Sequence, residues 1–528
     1  MTDDASSDSS LPDATGSVRP PAEIVSRSIV EQVRRSWPIA LALTSLTLLS
    51  MARFIRYANA DVLVSTLIST ERLTFFYWGQ DRLASLVPLL AWPVQDVRLN
   101  FYVQALIQGW AFFGLVLLFV EFHLVSVRDG VDRHADATTT AIALLLGGLA
   151  ATQFVSAPLA HVFVFEQQYA LSLLLFLLGV IVIMRAARRI APLGAFLLVT
   201  SLAVIPSTVL FAPVAALVPT DRGRWQRVGA VGLASVAAFL ASVLLARVFG
   251  PEVPATDLYA DFSPDRLVHN AGTAFRSIRA TIRPAPTMAM LIGVAVSLVL
   301  QRHRLTREAW LATVGAPLFA FAWFAVFASN GWVEANLYHP RYFFPVYLVV
   351  IFPVCSVAST LARLLTDRFV EGSDPTTRAR TDRARTLRVG TVATSVALAA
   401  FGVGRLVSDD GILAVGNATP AADIADRLDV EFVVGPYFEV WPIVFSARSR
   451  GDDLLAVTLR SEAIVALSRE LIDDAAVDGG VQLMCIRTDA PSCAAQLSFH
   501  LDEPWTVSDT LIDDPLVIEV SRSTAEGD

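Results

Sequence analysis

Lysine is absent from this 528-residue chain, so all 41 of its basic residues are arginine. Charge of either sign is scarce. Only 17% of residues are charged while 54% are hydrophobic, which is too apolar for an ordinary soluble protein of this size. No soluble face carries clustered cations, and that sets nucleic-acid binding aside. The chain also lacks HExxH, CxxC, Walker and GxSxG patterns, so metal, nucleotide and serine-hydrolase chemistries lose their support and no cofactor is expected. Only three cysteines are present.

What the chain has instead is apolar length. Stretches of about 17 to 25 residues recur, each able to cross a hydrocarbon core of about 30 Å as a helix with its backbone bonded internally. They predict an α-helical polytopic membrane protein of about eleven spans, at 37–54, 101–122, 139–157, 168–185, 191–204, 207–219, 228–247, 285–301, 309–328, 341–362 and 389–406. The pair 191–219 also reads as one helix kinked at Pro206. The first 33 residues, rich in Ser, Asp and Pro, read as a disordered cytoplasmic tail, and they lack the basic start and apolar run of a cleavable signal.

Arginine orients the chain. Arg34 and Arg35, Arg128 and Arg133, Arg185 with Arg188 and Arg189, the Arg222 to Arg227 group, the Arg302 to Arg307 group and the run from Arg378 to Arg388 all fall on one side of that span pattern. By the positive-inside rule this side is cytoplasmic. Residues 55–100, 158–167, 248–284 and 329–340 then lie outside. So does the tail from 407, which puts the two termini on opposite faces of the membrane.

Residues 411–528 hold 21 acids against 7 arginines, a balance of −14; since the whole chain carries −8, the remainder carries +6. This acidic tail reads as a soluble extracytoplasmic α/β domain, with strands in DVEFVV, LLAVTL, VQLMCI and PLVIEV and helices near 437–449 and 462–474. Cys485 and Cys493 lie close together in it. Outside the cell they would form a disulfide, and the alternative is two reduced, partly buried thiols. The segment GPYFEVWPIVFSAR reads either as an ordinary helix of the domain core or as a surface packed on the membrane-proximal bundle.

Candidate chemistry gathers in the external segments. The loop 55–100 is long for a connection, and residues 61–72 fit an interfacial amphipathic helix, with Ser65, Thr66 and Ser69 opposite Val62, Leu63, Leu67 and Ile68. FFYWGQDR sets Tyr77 and its aromatic neighbours beside Gln80, Asp81 and Arg82. Asp61 and Asp81 read as functional acids or as solvated loop acids. In GWVEANLYHPRYFFPVY, Glu334, Tyr338, His339, Arg341 and Tyr342 stand at the mouth of a span. Arg341 there reads as a phosphate-facing cation or as an interfacial anchor. His161 and Glu166 help bind substrate or cap helices. The acids, His269 and Arg276 of 248–284 are too scattered to assign.

FYWGQDRLASLVPLL at 76–90, YHPRYFFPVY at 338–347, VVGPYFEVWPIVFSA at 433–447 and an acid early in the first external loop resemble the GT-C type of multi-spanning glycosyltransferase. That group includes the dolichyl-phosphate-mannose protein mannosyltransferases and bacterial enzymes that use polyprenyl-phosphate sugars. The likeness covers roughly residues 37–450. It implies a GT-C-like bundle that moves a sugar, with inversion, from a polyprenyl-phosphate donor to a cell-envelope acceptor. Asp61 would be the base, Asp81 the second candidate for that role, and Arg341 the phosphate contact, with Tyr77, Gln80, Arg82, His339 and Tyr342 beside the substrate. Many relatives carry two adjacent acids in this loop, whereas Asp61 is followed by Val62. A non-enzymatic transporter, flippase or assembly factor sharing the fold is the other reading, although few ionisable residues lie inside the spans.

Overall fold

The computed structural model describes residues 21–77, 83–125, 137–166, 168–185, 190–218, 223–250, 261–301, 307–371, 378–408, 418–458, 480–501 and 505–522. The chain begins with α1 (Pro21–Phe54), and a 3-10 turn, Ile55–Tyr57, leads to α2 (Ala60–Thr70) and α3 (Leu86–Ala91). α4 (Val97–Val125) and α5 (Ala137–Ala151) follow. α6 (Ala157–His161) runs into a π-helical stretch, Val162–Glu166, ahead of α7 (Tyr169–Arg185). Next come α8 (Ala191–Val204), a 3-10 stretch Pro206–Leu217, α9 (Arg224–Phe249), α10 (Pro264–Thr281) and α11 (Pro284–Gln301). α12 (Arg307–Ala328), the short α13 (Gly331–Ala335), α14 (Phe344–Glu371) and α15 (Arg378–Ser408) complete the helical bundle.

Among the described residues, six helices are long and apolar enough to cross a bilayer: Ser36–Tyr57, Val97–Val125, Arg224–Phe249, Trp310–Ala328, Pro340–Phe369 and Asp382–Val407. The pair Ala157–Glu166 and Tyr169–Arg185, bent by 51°, makes a seventh if it is one span. The expected spans 139–157, 191–204 and 207–219 fall on shorter apolar helices, and 285–301 falls on the 18-residue α11. Length sets the shorter ones apart. The 15 residues of α5 and 14 of α8 rise only about 21 to 23 Å, less than the ~30 Å core. Apolarity marks burial, and a helix wrapped by other helices is as apolar as one facing lipid.

The helix α1 starts at Pro21, within the stretch 1–33, where Val25, Ile29 and Val33 repeat at helical spacing. The 191–219 segment breaks at Ile205, whose extended backbone separates α8 from the 3-10 stretch. Close helix approach depends on small residues: a Cβ on Gly179 would lie 2.8 Å from the Gly194 carbonyl oxygen, which fixes how tightly α7 and α8 pack.

The C-terminal domain contains α16 (Ala418–Arg427), β1 (Phe432–Val434), α17 (Tyr437–Arg448), β2 (Leu455–Val457), β3 (Gly480–Cys485), α18 (Ala490–Leu501), β4 (Trp505–Asp513) and β5 (Leu516–Arg522). Its five-stranded sheet has the order β2-β1-β3-β5-β4, with β1 parallel to β2 and β3, and β5 antiparallel to β3 and β4. β1, β2, β3 and β5 are the four expected strands. The exposed edge strand β4 is additional, and irregularities between Val507 and Asp509 and between Thr510 and Ile512 break its alternation. The expected helix at 437–449 is α17, and the one at 462–474 lies outside the described residues.

The period-two pattern divides the sheet between two cores. Phe432, Val434, Leu483 and Ile518 pack with Leu497 of α18. Val433, Met484 and Val517 face the other way and join the core of the bundle through α16 and α17. α17 packs on α2, and the Phe445 ring meets Phe101 of α4 edge-on at 5.7 Å. The aromatic segment is thus a domain helix and also the surface that meets the bundle.

Candidate functional site

Asp61 owes its position to a cap. The Asn59 side chain accepts from the Asp61 N–H at 3.0 Å and starts α2 there. The carboxylate therefore sits in the first helical turn, where the helix dipole favours negative charge. α2 is not the interfacial helix expected, because its polar face is as buried as its apolar one: Ser65, Thr66 and Ser69 are all at most 1% exposed. Hydrogen bonding explains this. Ser65 Oγ donates to Gln104 Oε1 at 2.5 Å, and Ser69 Oγ donates to the Pro88 carbonyl at 2.8 Å. Asn100 in turn donates to Ser69 and to the Ala91 and Val94 carbonyls, which secures α3 and its flank against α4.

Arg341 arrives from 280 positions further along the chain. Leu337 and Tyr338 have φ of 54° and 53°, left-handed conformations that cost roughly 1–2 kcal/mol each in a non-glycine residue. They turn the chain into His339, whose ring Nδ1 accepts the Arg341 N–H, and Pro340 then starts the 3-10 turn Pro340–Phe343. Arg341 Nη1 lies 2.9 Å from Asp61 Oδ2 and 3.8 Å from Glu166 Oε1. Its Nη2 donates to the Tyr342 hydroxyl at 3.1 Å, and Trp332 Nε1 donates to the same oxygen at 3.0 Å. Two carboxylates thus flank one guanidinium whose side chain is only 14% exposed.

Glu166 and His161 are both buried, and Glu166 ends the π-helical stretch where the bent pair breaks, beside Arg341. Such local widening of a helix recurs at functional sites. An acid inside AHVFVFEQQY was the available signal, since burying a carboxylate among aromatics is costly without a cationic neighbour.

Tyr437 is supplied by the C-terminal domain. Gly435 has φ +153, and a Cβ there would lie 2.6 Å from the Ile486 carbonyl oxygen, so only glycine fits this turn out of β1. Pro436 follows and α17 begins. The Tyr437 hydroxyl donates to Asp61 Oδ1 at 3.0 Å, and Arg448 at the far end of α17 pairs with Glu71 at 3.4 Å. Tyr77 completes the neutral side of the cluster. Its hydroxyl faces Ser65 and Gln168, and burial pushes its pKa up to about 12, with the Asp61 and Glu166 charges adding to the rise.

Gln80, Asp81 and Arg82 lie outside the described residues. His339 is partly exposed and caps a turn. Asp261, in the segment that had resisted assignment, and Glu334, expected at the mouth of a span, converge on Arg266 at 2.7 and 2.8 Å, and Asn270 donates to Glu334 at 2.9 Å; hydrogen bonding from Arg266 holds the Asp261 carboxyl below its ordinary pKa. Cys485 on β3 and Cys493 on α18 are joined as a disulfide.

The cluster of Asp61, Glu166, Arg341 and Tyr437 is therefore built from the first loop, the broken helix, the mouth of α14 and the C-terminal domain. No known family model matches the chain, and no curated protein matches it.

Proposed function

We propose that this chain is an inverting glycosyltransferase that moves a sugar from a polyprenyl-phosphate donor to a cell-envelope acceptor at the outer surface of the bundle. The observation that carries the reading is the 2.9 Å pair of Asp61 and Arg341, the base and the phosphate contact that the family likeness implies. A sugar on a lipid phosphate already has a good leaving group. The protein then needs a carboxylate to take the acceptor hydroxyl's proton and a cation to stabilise the phosphate as it departs. Arg341 uses two of its five N–H donors on Asp61 and Tyr342, which leaves donors for phosphate oxygens. Direct attack at the anomeric carbon inverts the sugar without a covalent enzyme intermediate.

The same reading sets the bundle in a bacterial plasma membrane, with eleven crossings counting the short apolar helices, the N-terminus inside and the C-terminal domain outside. The bonded Cys485 and Cys493 support that side, since disulfides persist in oxidising compartments. The test is transfer of radiolabelled sugar from polyprenyl-phosphate donors in membranes holding wild type, Asp61→Asn or Arg341→Gln. Transfer by wild type and its loss in both variants at normal protein level is the expected result. Full activity in Asp61→Asn would remove the base.

One observation favours a second reading, that of a transporter or flippase. Glu166 sits at the break of the bent pair, and discontinuous helices with ionisable residues at the break build transporter sites. Movement of a labelled polyprenyl-phosphate sugar across proteoliposomes, without transfer to any acceptor, would select it.

A further inference from the structure

A chain of buried neutral polar groups leads to the charged cluster and ends open. Asn100 Nδ2 bonds three oxygens, Gln104 Nε2 donates to Asn100 Oδ1 at 2.8 Å and to the Ser65 carbonyl at 3.0 Å, and Ser65 Oγ bonds Gln104 in return. Ser65 faces the Tyr77 hydroxyl, and Tyr77 faces Gln168. At Gln168 the pattern stops. Its side chain leans on the Tyr77 hydroxyl, yet among the described residues neither Oε1 nor Nε2 makes a well-formed hydrogen bond, although the residue is only 1% exposed.

Gln168 stands two residues from Glu166 and immediately before Tyr169, whose charge interaction reaches Arg341. A buried amide without partners is destabilising, and such groups are rare. Among the described members of this network, Gln168 is the one whose donor and acceptor are both unmet, and its place two residues from Glu166 indicates that something else completes it. An amide offers one acceptor and a donor pair side by side, a match for two adjacent hydroxyls.

We infer that Gln168, backed by Tyr77, is a specificity-determining residue that binds vicinal hydroxyls of a sugar ring beside the Asp61–Arg341 pair. Assigning those hydroxyls to a transferred sugar rests on the glycosyltransferase reading; the open amide does not. The ring belongs to the donor or to the acceptor, and the chemistry of recognition is the same for both.

Calorimetric titration of the full-length protein in nanodiscs tests this with three probes: polyprenyl phosphate, the same lipid phosphate carrying one hexose or pentose, and methyl glycosides of those sugars. Wild type should bind at least one sugar-bearing lipid about tenfold more tightly than the bare phosphate. Gln168→Met, close in shape and without hydrogen bonds, should bring that ratio to about one and leave bare-phosphate binding unchanged. A methyl glycoside that competes with the sugar-bearing lipid marks a donor subsite, and one that binds alongside it marks an acceptor subsite.

Glycoside binding that depends on Gln168 without any lipid-phosphate binding would overturn the donor reading and leave this inference standing. An unchanged ratio in Gln168→Met, or no sugar preference in wild type with any probe, would overturn it. Thermal unfolding supplies a second readout. The variant should melt at a higher temperature than ligand-free wild type, because an unmet buried amide is gone. A lower melting point with unchanged sugar preference would make Gln168 a structural residue and end the proposal.

Discussion

Asp61 Oδ2 and Arg341 Nη1 meet at 2.9 Å across 280 positions of sequence, and Glu166 Oε1 stands 3.8 Å from the same nitrogen. The trio is asymmetric, and so are the consequences of breaking it. Asp61→Asn leaves Arg341 a carboxylate neighbour in Glu166. Arg341→Gln leaves two carboxylates facing each other with no cation between them. Removing one partner of a buried pair costs roughly 3–5 kcal/mol, and the 14% and 20% exposure of these side chains places the cost at or below the lower figure. Thermal unfolding in detergent should therefore rank Arg341→Gln well below Asp61→Asn, and adding Glu166→Gln to Arg341→Gln should recover part of the loss. Equal melting points would mean that the pair is a solvated contact.

The Tyr437 hydroxyl bonds Asp61 Oδ1 at 3.0 Å from a separate domain. Hydrogen bonds to charged groups contribute about 1.5–3 kcal/mol, and half-burial of Tyr437 points to the lower end. Tyr437→Phe should lower stability by about 1.5 kcal/mol in wild type and by much less in Asp61→Asn. A double-mutant cycle on unfolding midpoints should return a coupling of about 1 kcal/mol. Additive effects would show that Tyr437 is held by α17 packing alone.

The helical membrane architecture was legible because apolar length is a one-dimensional property, and six expected spans coincide with long apolar helices. The shortness of the remaining helices was not, since apolar composition does not fix where a helix ends. At the site, Asp61 and Arg341 stood out individually as polar groups at apolar boundaries. Their union depends on how α2 packs beneath the mouth of α14, which no local pattern encodes. Glu166 was visible only as an acid in an aromatic run, a position that calls for a cationic neighbour. Tyr437 was hidden more deeply, because its role depends on Gly435 and on the C-terminal domain resting against the bundle.

Burial holds the Tyr77 phenol neutral up to about pH 12. An unfolded tyrosine ionises near pH 10, so above that pH the folded chain retains a proton that the unfolded chain has released. Tyr77 is therefore without effect on the pH dependence below about pH 10, and stability falls as pH rises from there toward the folded value. The loss attributable to this residue reaches at most about 2.5 kcal/mol. Comparing unfolding midpoints of wild type and Tyr77→Phe between pH 9 and pH 12 checks it. The wild-type curve should descend more steeply above about pH 10, and parallel curves would mean that the hydroxyl is hydrated.

The Cys485–Cys493 disulfide closes a loop of eight residues' separation between β3 and α18, a constraint worth about 2–3 kcal/mol in the chain-entropy picture. Cys493→Ser should lower the stability of the C-terminal domain by that order, measured as faster proteolysis of the domain in membranes. The same bond reports the topology. If the domain is outside, a membrane-impermeant maleimide applied to intact cells should label Cys485 and Cys493 only after an impermeant reductant, while Cys355, buried within α14, stays unlabelled throughout. Labelling that needs no reductant but does need permeabilised cells would put the domain in the cytoplasm, and the Tyr437 contact and the whole Asp61 cluster with it. A sugar donor presented at the outer surface would then have no route to Arg341, so this labelling pattern weighs on the transferase reading before any activity is measured.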